Sequence, residues 1–422
     1  MLQRLKRLEI DIRIAIIGIG SMGQGLLHQS RITPGIRCVA IVDTDVARAG
    51  RCAEELGYSF RIVHDLEGMR RAIQSGVLAV CEDGDLPARC ELIDVVVEAS
   101  NSIIPAARFA ITTLEHRKHL VLMNSEIDLV FGPYLLQLAR ENDVTYSSCD
   151  GDQHGIIKHL IDDLQMWGFD LVMAGNIKGF LDRYSDPVKI IPEADKRNLG
   201  YKMATAYTDG TKLCIEMALL ANAFGLSASV SGMHGPRAID VHEVFSLFDF
   251  YSIWNSGQPV VDYVLGAEPN GGVFAIGHCE NPYQRSMLSY YKMGEGPFYL
   301  FYRPYHLCHV EAMAGIAAAC LDGLSVLAPT YGLRTNVFAY AKRPLRKGET
   351  LDGLGGFCCY GLIENCNANG VNPGLPICLA DDVTLERDIP RDGRIQLKDV
   401  RYSPGRLDFD IYFRALGVGV GA

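Results

Sequence analysis

Long basic runs, paired cysteines and membrane-length apolar stretches are all missing from this chain of 422 residues. Lys and Arg number 40 against 50 Asp and Glu, a net charge of -10. Nucleic acid is therefore not an expected partner, because phosphate neutralisation needs clustered cations. The 13 cysteines are odd in number, scattered, and form no C-x-x-C pair, which argues against a disulfide framework and a structural zinc site. The neighbours Cys358 and Cys359 read as strand residues facing opposite sides. Residues 1–11 alternate charged and apolar types without the apolar core of a signal peptide, and no run of about 20 apolar residues occurs. A cytoplasmic protein without a membrane partner is the expectation. Hydrophobic residues make up 48% and charged residues 21%, a globular balance. The length asks for two or three domains.

What is present is organised around residues 13–43. An apolar run leads into Gly18-x-Gly20-x-x-Gly23, an amphipathic stretch of helical length follows, and a second apolar run ends in Asp43. Gly18 permits a tight turn, Gly20 lets the backbone approach a pyrophosphate, and Gly23 lets the helix lie close to the strand. Asp43 stands 25 residues after Gly18, where a ribose-binding acid is expected. A carboxylate there hydrogen-bonds a free ribose hydroxyl and repels a 2′-phosphate, so NAD is favoured, while Arg48 keeps NADP open. The expected cofactor residues are Gly18, Gly20, Ser21, Met22, Gly23 and Asp43, joined by Ala99, Ser100 and Asn124 at later strand ends.

Short apolar runs alternate with amphipathic runs from residue 13 to about 150. The reading is α/β: a Rossmann-type doubly wound parallel sheet over 12–153, with a return helix near 308–325. Helices are expected at 105–117 and at 133–141, the latter with Pro133 near its first turn. The insertion around 81–85 reads as a loop or a short added unit. An α+β substrate and oligomerisation domain follows over 154–307. It has helices at 155–167 and 211–224, a strand over 171–175 running into a Gly-flanked loop at 175–179, and strands at 260–264, 272–277 and 298–306. The apolar aromatic run 298–306 makes a homo-oligomer the expectation. Short strands and turns over 330–422 read as a small β domain, in which 342–347 is a solvated basic turn.

Polar residues cluster where such sheets bind ligands, at the carboxyl ends of strands. Lys178 could orient a substrate carbonyl or donate a proton, or be a surface lysine. His234 and Arg237, in the constrained turn 232–237, could bind an anion or simply build the turn. Asp150, Asp152 and Gln153 could serve substrate, or Mg or Mn, or cap the next helix. Asn124 and Glu126 could touch nicotinamide or substrate. His306 and His309 suit packing or substrate contact better than a metal, and no residue is assigned as a metal ligand. Glu216, on an apolar helix, needs a basic partner or a site role.

Several stretches together resemble one family. They are Met123 to Asp128 with Gly132 to Leu135, Glu216 to Ala218 with Ala221 to Ala223, Gly232 to Ala238, Val261 to Tyr263, Gly294 to Pro297 and Arg303 to Leu307. They resemble the 1-deoxy-D-xylulose 5-phosphate reductoisomerase-like oxidoreductases, which join a homoserine-dehydrogenase-like nucleotide domain to a C-terminal SAF (β-clip) domain. The resemblance implies a nicotinamide-dependent oxidoreductase acting on a small carbonyl or hydroxyl substrate, with a coupled isomerisation and a divalent metal in the family's characterised activity. On this reading Lys178, His234 and Asp152 are the catalytic candidates, and Arg237, Gln153, Glu126 and His306 the substrate-binding ones. The alternative is a non-catalytic dinucleotide-sensing or scaffold protein.

Overall fold

The structure, a computed structural model, describes residues 1–196, 199–367 and 369–418. The chain forms two compact units. The first comprises Met1–Asp152, Leu307–Ala328 and Leu407–Val418; the second comprises Gln153–His306 and Pro329–Arg406. The last residues of the expected β domain, 419–422, lie outside the described residues.

The first unit holds seven strands: β1 Ile12–Ile17, β2 Ile36–Val42, β3 Phe60–Ile62, β4 Leu78–Cys81, β5 Val95–Glu98, β6 His119–Leu122 and β7 Tyr146–Ser148. They form one parallel sheet in the order β3-β4-β2-β1-β5-β6-β7. This is the expected Rossmann-type α/β class. Side chains alternate between faces, so β1 feeds two cores. Ile14 and Ile16 pack with Leu26 and Leu27 of helix Ser21–Ile32 and with Ala312, Met313 and Ile316 of helix Cys308–Asp322. Ala15 and Ile17 pack on the other face with Met69, Ala72 and Phe109. Chain order reverses between β1 and β5, and the crevice outside their carboxyl ends is the ligand position for such sheets.

Two expectations need correction here, and a third is narrowed. Pro133 does not open a helix, because helix Ser125–Glu141 begins eight residues earlier and contains it. Nearly every residue from Ser125 to Pro133 is buried, and that burial outweighs the lost proline hydrogen bond. The insertion is a short added unit, with fully buried β4 seated between β3 and β2. The chain also does not stay β to its end. Leu407–Gly417 is a helix that packs on helix Ser125–Glu141 through a stripe including Phe409, Tyr412 and Ala415.

The second unit is built on a mixed sheet, β12-β11-β8-β10-β9. Its strands are β8 Asp170–Lys178, β9 Ser227–Ala228, β10 Val260–Leu265, β11 Val273–His278 and β12 Phe298–Arg303. β10 runs parallel to β8, and β11 antiparallel. Here the Gly-flanked loop is corrected, because residues 175–178 continue β8. A Cβ on Gly175 would stand 2.2 Å from the Asp262 carbonyl oxygen; glycine keeps the strand here because its neighbour comes so close. Helix Gln153–Met166 packs on β8 and β11. Helix Thr211–Phe224 matches its expected bounds. Residues 335–401 add two antiparallel sheets, β13 Thr335–Ala341 with β15 Cys359–Asn365, and β14 Thr350–Asp352 with β16 Asp381–Leu385 and β17 Val400–Arg401. The basic turn is not fully solvated. Lys342 is buried, 2.9 Å from the buried Asp209 carboxylate, and donates to the Ser185 and Gly356 carbonyls. A charge can be buried only with partners of this kind. Among the described residues no helix is long and apolar enough to cross a membrane.

Candidate functional site

In the first unit the three glycines have three separate reasons. Gly18 has φ +89, and a Cβ on it would lie 2.6 Å from the Ser100 amide nitrogen. A Cβ on Gly23 would lie 1.8 Å from the Gly18 carbonyl oxygen. Gly20, before the first turn of helix Ser21–Ile32, meets nothing within 4 Å. Gly18 and Gly23 thus close the turn on itself and on β5, while Gly20 leaves bare backbone facing open space. Ser21 and Met22 begin the helix, half-buried. A pyrophosphate fits this arrangement, since the helix start presents the positive end of the helix dipole beside the open backbone at Gly20.

Asp43 follows β2, as its spacing suggests, but its contacts were not legible. One carboxylate oxygen accepts from the Ile19 N–H at 2.8 Å and the Arg48 guanidinium at 2.7 Å; the other accepts from the Asp45 N–H at 2.9 Å. The acid therefore grips the glycine turn from below. Arg48 lies over it with half its side chain exposed.

Ala99 and Ser100 follow β5, half-buried. Ser100 Oγ is 2.8 Å from Ser102 Oγ, and Asn124 Nδ2 donates to the Ser102 carbonyl at 2.8 Å. Asn124 also caps helix Ser125–Glu141 through the Ile127 N–H. Glu126 is buried in that helix's first turn. Sequence reasoning missed Glu98, the last residue of β5. It is fully buried, one oxygen accepts from the Ser100 N–H at 3.1 Å, and the other has no hydrogen-bond partner among the described residues. Burial pushes its carboxyl up to about 8, with hydrogen bonds from Ser100 and Asn124 opposing the rise. An acid closing a run of three valines was the available signal, because such a group is costly to bury charged. Asp150 and Asp152 are buried after β7; Asp150 accepts from the Gly151 N–H, and Cys308 Sγ stands 3.9 Å from Asp152 Oδ1.

In the second unit the turn 232–237 is anchored by Asp262, which is fully buried on β10. Its carboxylate accepts from the His234 N–H at 3.1 Å, the Gly235 N–H at 2.9 Å and the Tyr263 N–H at 2.8 Å. Burial pushes this carboxyl up, and the three N–H donors and the His234 charge oppose the rise. Gly235 has φ +55, and a Cβ on it would lie 2.0 Å from the Tyr263 ring. The side chains of His234 and Arg237 are left exposed.

Lys178 ends β8 in register with Leu265, which in turn bridges to Arg237. Its Nζ donates to the Tyr207 carbonyl at 2.9 Å. His306 Nδ1 is 2.8 Å from the Gly271 carbonyl oxygen, and the Gly271 N–H donates to the Ile177 carbonyl. Lys178, Arg237 and His306 are thus brought to one end of the sheet, and His234 is held from β10. Gln153 starts the helix Gln153–Met166, half-buried. Glu216 and Lys212 are both buried on helix Thr211–Phe224, one turn apart.

Residues 151–312 match the family model for oxidoreductase DRL, catalytic domain. The class that this match carries is oxidoreductase. It contains Asp152, Gln153, Lys178, His234, Arg237 and His306, and it excludes the glycine turn. It covers less than half of the chain. A curated relative, homoserine dehydrogenase of Bacillus subtilis (strain 168), is 23% identical over 242 residues, covering 52% of this chain and 50% of the relative. The chain therefore spans about half the length of that relative. Among solved structures, a probable dehydrogenase from Thermotoga maritima overlays with a TM-score of 0.44 at 12% identity, covering 75% of this chain and 91% of that one. The 1-deoxy-D-xylulose 5-phosphate reductoisomerase from Zymomonas mobilis in complex with NADPH gives 0.34 at 15% identity, covering 49% and 56%.

Proposed function

We propose that this chain is a nicotinamide-dependent oxidoreductase that moves a hydride to or from a small carbonyl or hydroxyl substrate. The observation that carries the reading is the open backbone at Gly20, at the crevice between β1 and β5. The DRL match over 151–312 supports the same class. Gly18, Gly20, Gly23, Ser21 and Met22 would hold the pyrophosphate, and Asp43 the adenine ribose. Ala99, Ser100 and Asn124 would line the nicotinamide end. A bound nicotinamide supplies or accepts the hydride.

The chain's own residues then have separate tasks. Lys178 Nζ, with Tyr207 as a fixed acceptor, is placed to orient a substrate oxygen and to exchange a proton with it. His234 and Arg237 offer donors to an anionic or hydroxylated substrate. Gln153 and His306 are further polar contacts, and Asp152 and Glu126 stand at strand ends of the first unit. NAD is the favoured form, although Arg48 partly neutralises the acid that would repel a 2′-phosphate. In the first unit the neighbour of Asp152 is a thiol, Cys308, which does not suit Mg or Mn; the function is stated without an ion. β12 is an edge strand with Tyr302 exposed, and pairing of copies along it is the proposed route to a homo-oligomer.

The test is fluorescence titration of the full chain with NADH and with NADPH. A screen of NADH oxidation with phosphorylated ketoses and keto acids, and of NAD reduction with hydroxy acids, follows. Binding of neither nucleotide ends the proposal. Binding without turnover on any class favours a sensing or scaffold role instead.

A further inference from the structure

Glu98 closes β5 at the carboxyl edge of the parallel sheet, and none of its surface is exposed. Its register partner on β1 is Ile17, the residue before Gly18. One carboxyl oxygen accepts from the Ser100 N–H at 3.1 Å, and the other has no hydrogen-bond partner among the described residues. The Ser100 amide nitrogen is also the atom against which the glycine turn packs, since a Cβ on Gly18 would lie 2.6 Å from it. The Glu98 carbonyl accepts from the Met123 N–H at 2.9 Å and the Asn124 N–H at 3.3 Å. Asn124 Nδ2 in turn holds the Ser102 carbonyl at 2.8 Å. Glu98 thus underlies both the glycine turn and loop 99–102, the two sides of the crevice outside β1 and β5.

A carboxyl buried to this degree, with one oxygen left over, is costly to ionise. Ile17 and Leu122, its neighbours across the sheet, are apolar. Glu126, from helix Ser125–Glu141, adds charge of the same sign, and Asp128 of that helix is engaged by the Tyr146 and Ser148 hydroxyls. The nearby cations are committed elsewhere. Arg108 of helix Ile104–Glu115 pairs with Asp85 at 3.3 Å, and Arg48 pairs with Asp43. Burial accordingly pushes the Glu98 carboxyl up to about 8, so the acid is mostly neutral at pH 7 and mostly ionised at pH 9.

A dinucleotide would bring an anionic pyrophosphate to the glycine turn, which begins one residue beyond Ile17. An ionised Glu98 would then face a like charge across the same turn, in a place shielded from water, where repulsion is strong. We propose that Glu98 is a proton-linked positioning residue of the dinucleotide site: its neutral form holds loop 99–102 for binding, and binding draws a proton onto it. The inference rests on the dinucleotide reading of the glycine turn and adds regulation of that site by pH.

NADH is titrated by fluorescence into the full chain between pH 7 and pH 9, at constant ionic strength and well below the unfolding midpoint. Affinity is expected to fall about ten-fold over that span, as for one group near 8 that must be neutral for binding. Glu98→Gln, a neutral isostere, should match the unaltered protein at pH 7 and keep that affinity at pH 9. Glu98→Ala, which releases the Ser100 N–H, should bind more weakly at both. Calorimetry at pH 8 in buffers of different ionisation enthalpy should show uptake of about half a proton per NADH by the unaltered protein, and none by Glu98→Gln. A pH-independent affinity, a fall that Glu98→Gln retains, normal affinity in Glu98→Ala, or binding without proton uptake overturns this role. If Glu98→Gln does not fold, the proton uptake of the unaltered protein decides. Absence of NADH binding at every pH ends the dinucleotide reading and this inference together, so the two failures are distinguishable.

Discussion

Turn 18–23 and turn 232–237 are both gripped by a buried carboxylate, and they present opposite surfaces. In the first, Asp43 holds the Ile19 N–H and the turn exposes bare backbone at Gly20. In the second, Asp262 holds the His234 and Gly235 N–H groups and the turn exposes the His234 and Arg237 side chains. A carboxylate under each turn is thus first a fixing device. What the turn does depends on whether glycine or a side chain stands at its crest. The acids differ in one further respect. Asp43 also holds Arg48, whereas Asp262 is engaged entirely by backbone.

The comparison can be broken most severely at Gly23. Gly23→Ala places a methyl against the Gly18 carbonyl, and NADH affinity should fall roughly a hundred-fold, about 2.7 kcal/mol. Fluorescence titration measures it, and near-normal affinity would mean that the turn is not the dinucleotide site. Asp262→Ala should cost about 3 kcal/mol of stability by stranding backbone donors, seen in chemical denaturation. NADH affinity should be spared, because the other turn keeps its own acid.

A pH test follows from Glu98. Its folded carboxyl is raised from 4.5 to about 8, so neutral Glu98 favours the fold at low pH. That contribution is lost as pH rises from about 4.5 through 8, at roughly 1.4 kcal/mol per unit. Glu98→Gln should remove this slope, so the variant gains on the unaltered protein between pH 5 and pH 8 in unfolding midpoints. Parallel pH profiles would mean that Glu98 is ionised in the fold. The smallest effect concerns Asp43→Ser, expected to raise NADPH use relative to NADH about three- to ten-fold. An unchanged ratio would mean that Asp43 serves only the turn, as its grip on Ile19 allows.

The nucleotide fold was readable because strand, glycines, helix and acid occur in an order that few other structures need. The partners of Asp43 were not readable, since the Ile19 N–H and Arg48 meet it only when β1 and β2 lie side by side. Pro133 misled because a local rule about helix starts was overridden by burial on both sides of it. Lys342 misled because a basic run looks solvated until Asp209, more than a hundred residues earlier, is brought beneath it. Glu98 was passed over as an ordinary charge. Its distinction is a buried carboxylate oxygen with no hydrogen-bond partner among the described residues, which exists only in three dimensions.

One feature of the first unit matters during synthesis. Its sheet is complete at Ser148, but helix Cys308–Asp322, which supplies Ala312, Met313 and Ile316 to one face, emerges about 160 residues later. At roughly 5–20 residues per second this is a wait of about 8–30 s. Part of an apolar sheet face therefore stays wet while the whole middle of the chain is made. The first unit cannot be obtained by cutting after Asp152, and a nascent chain halted before residue 308 is the form most in need of a chaperone.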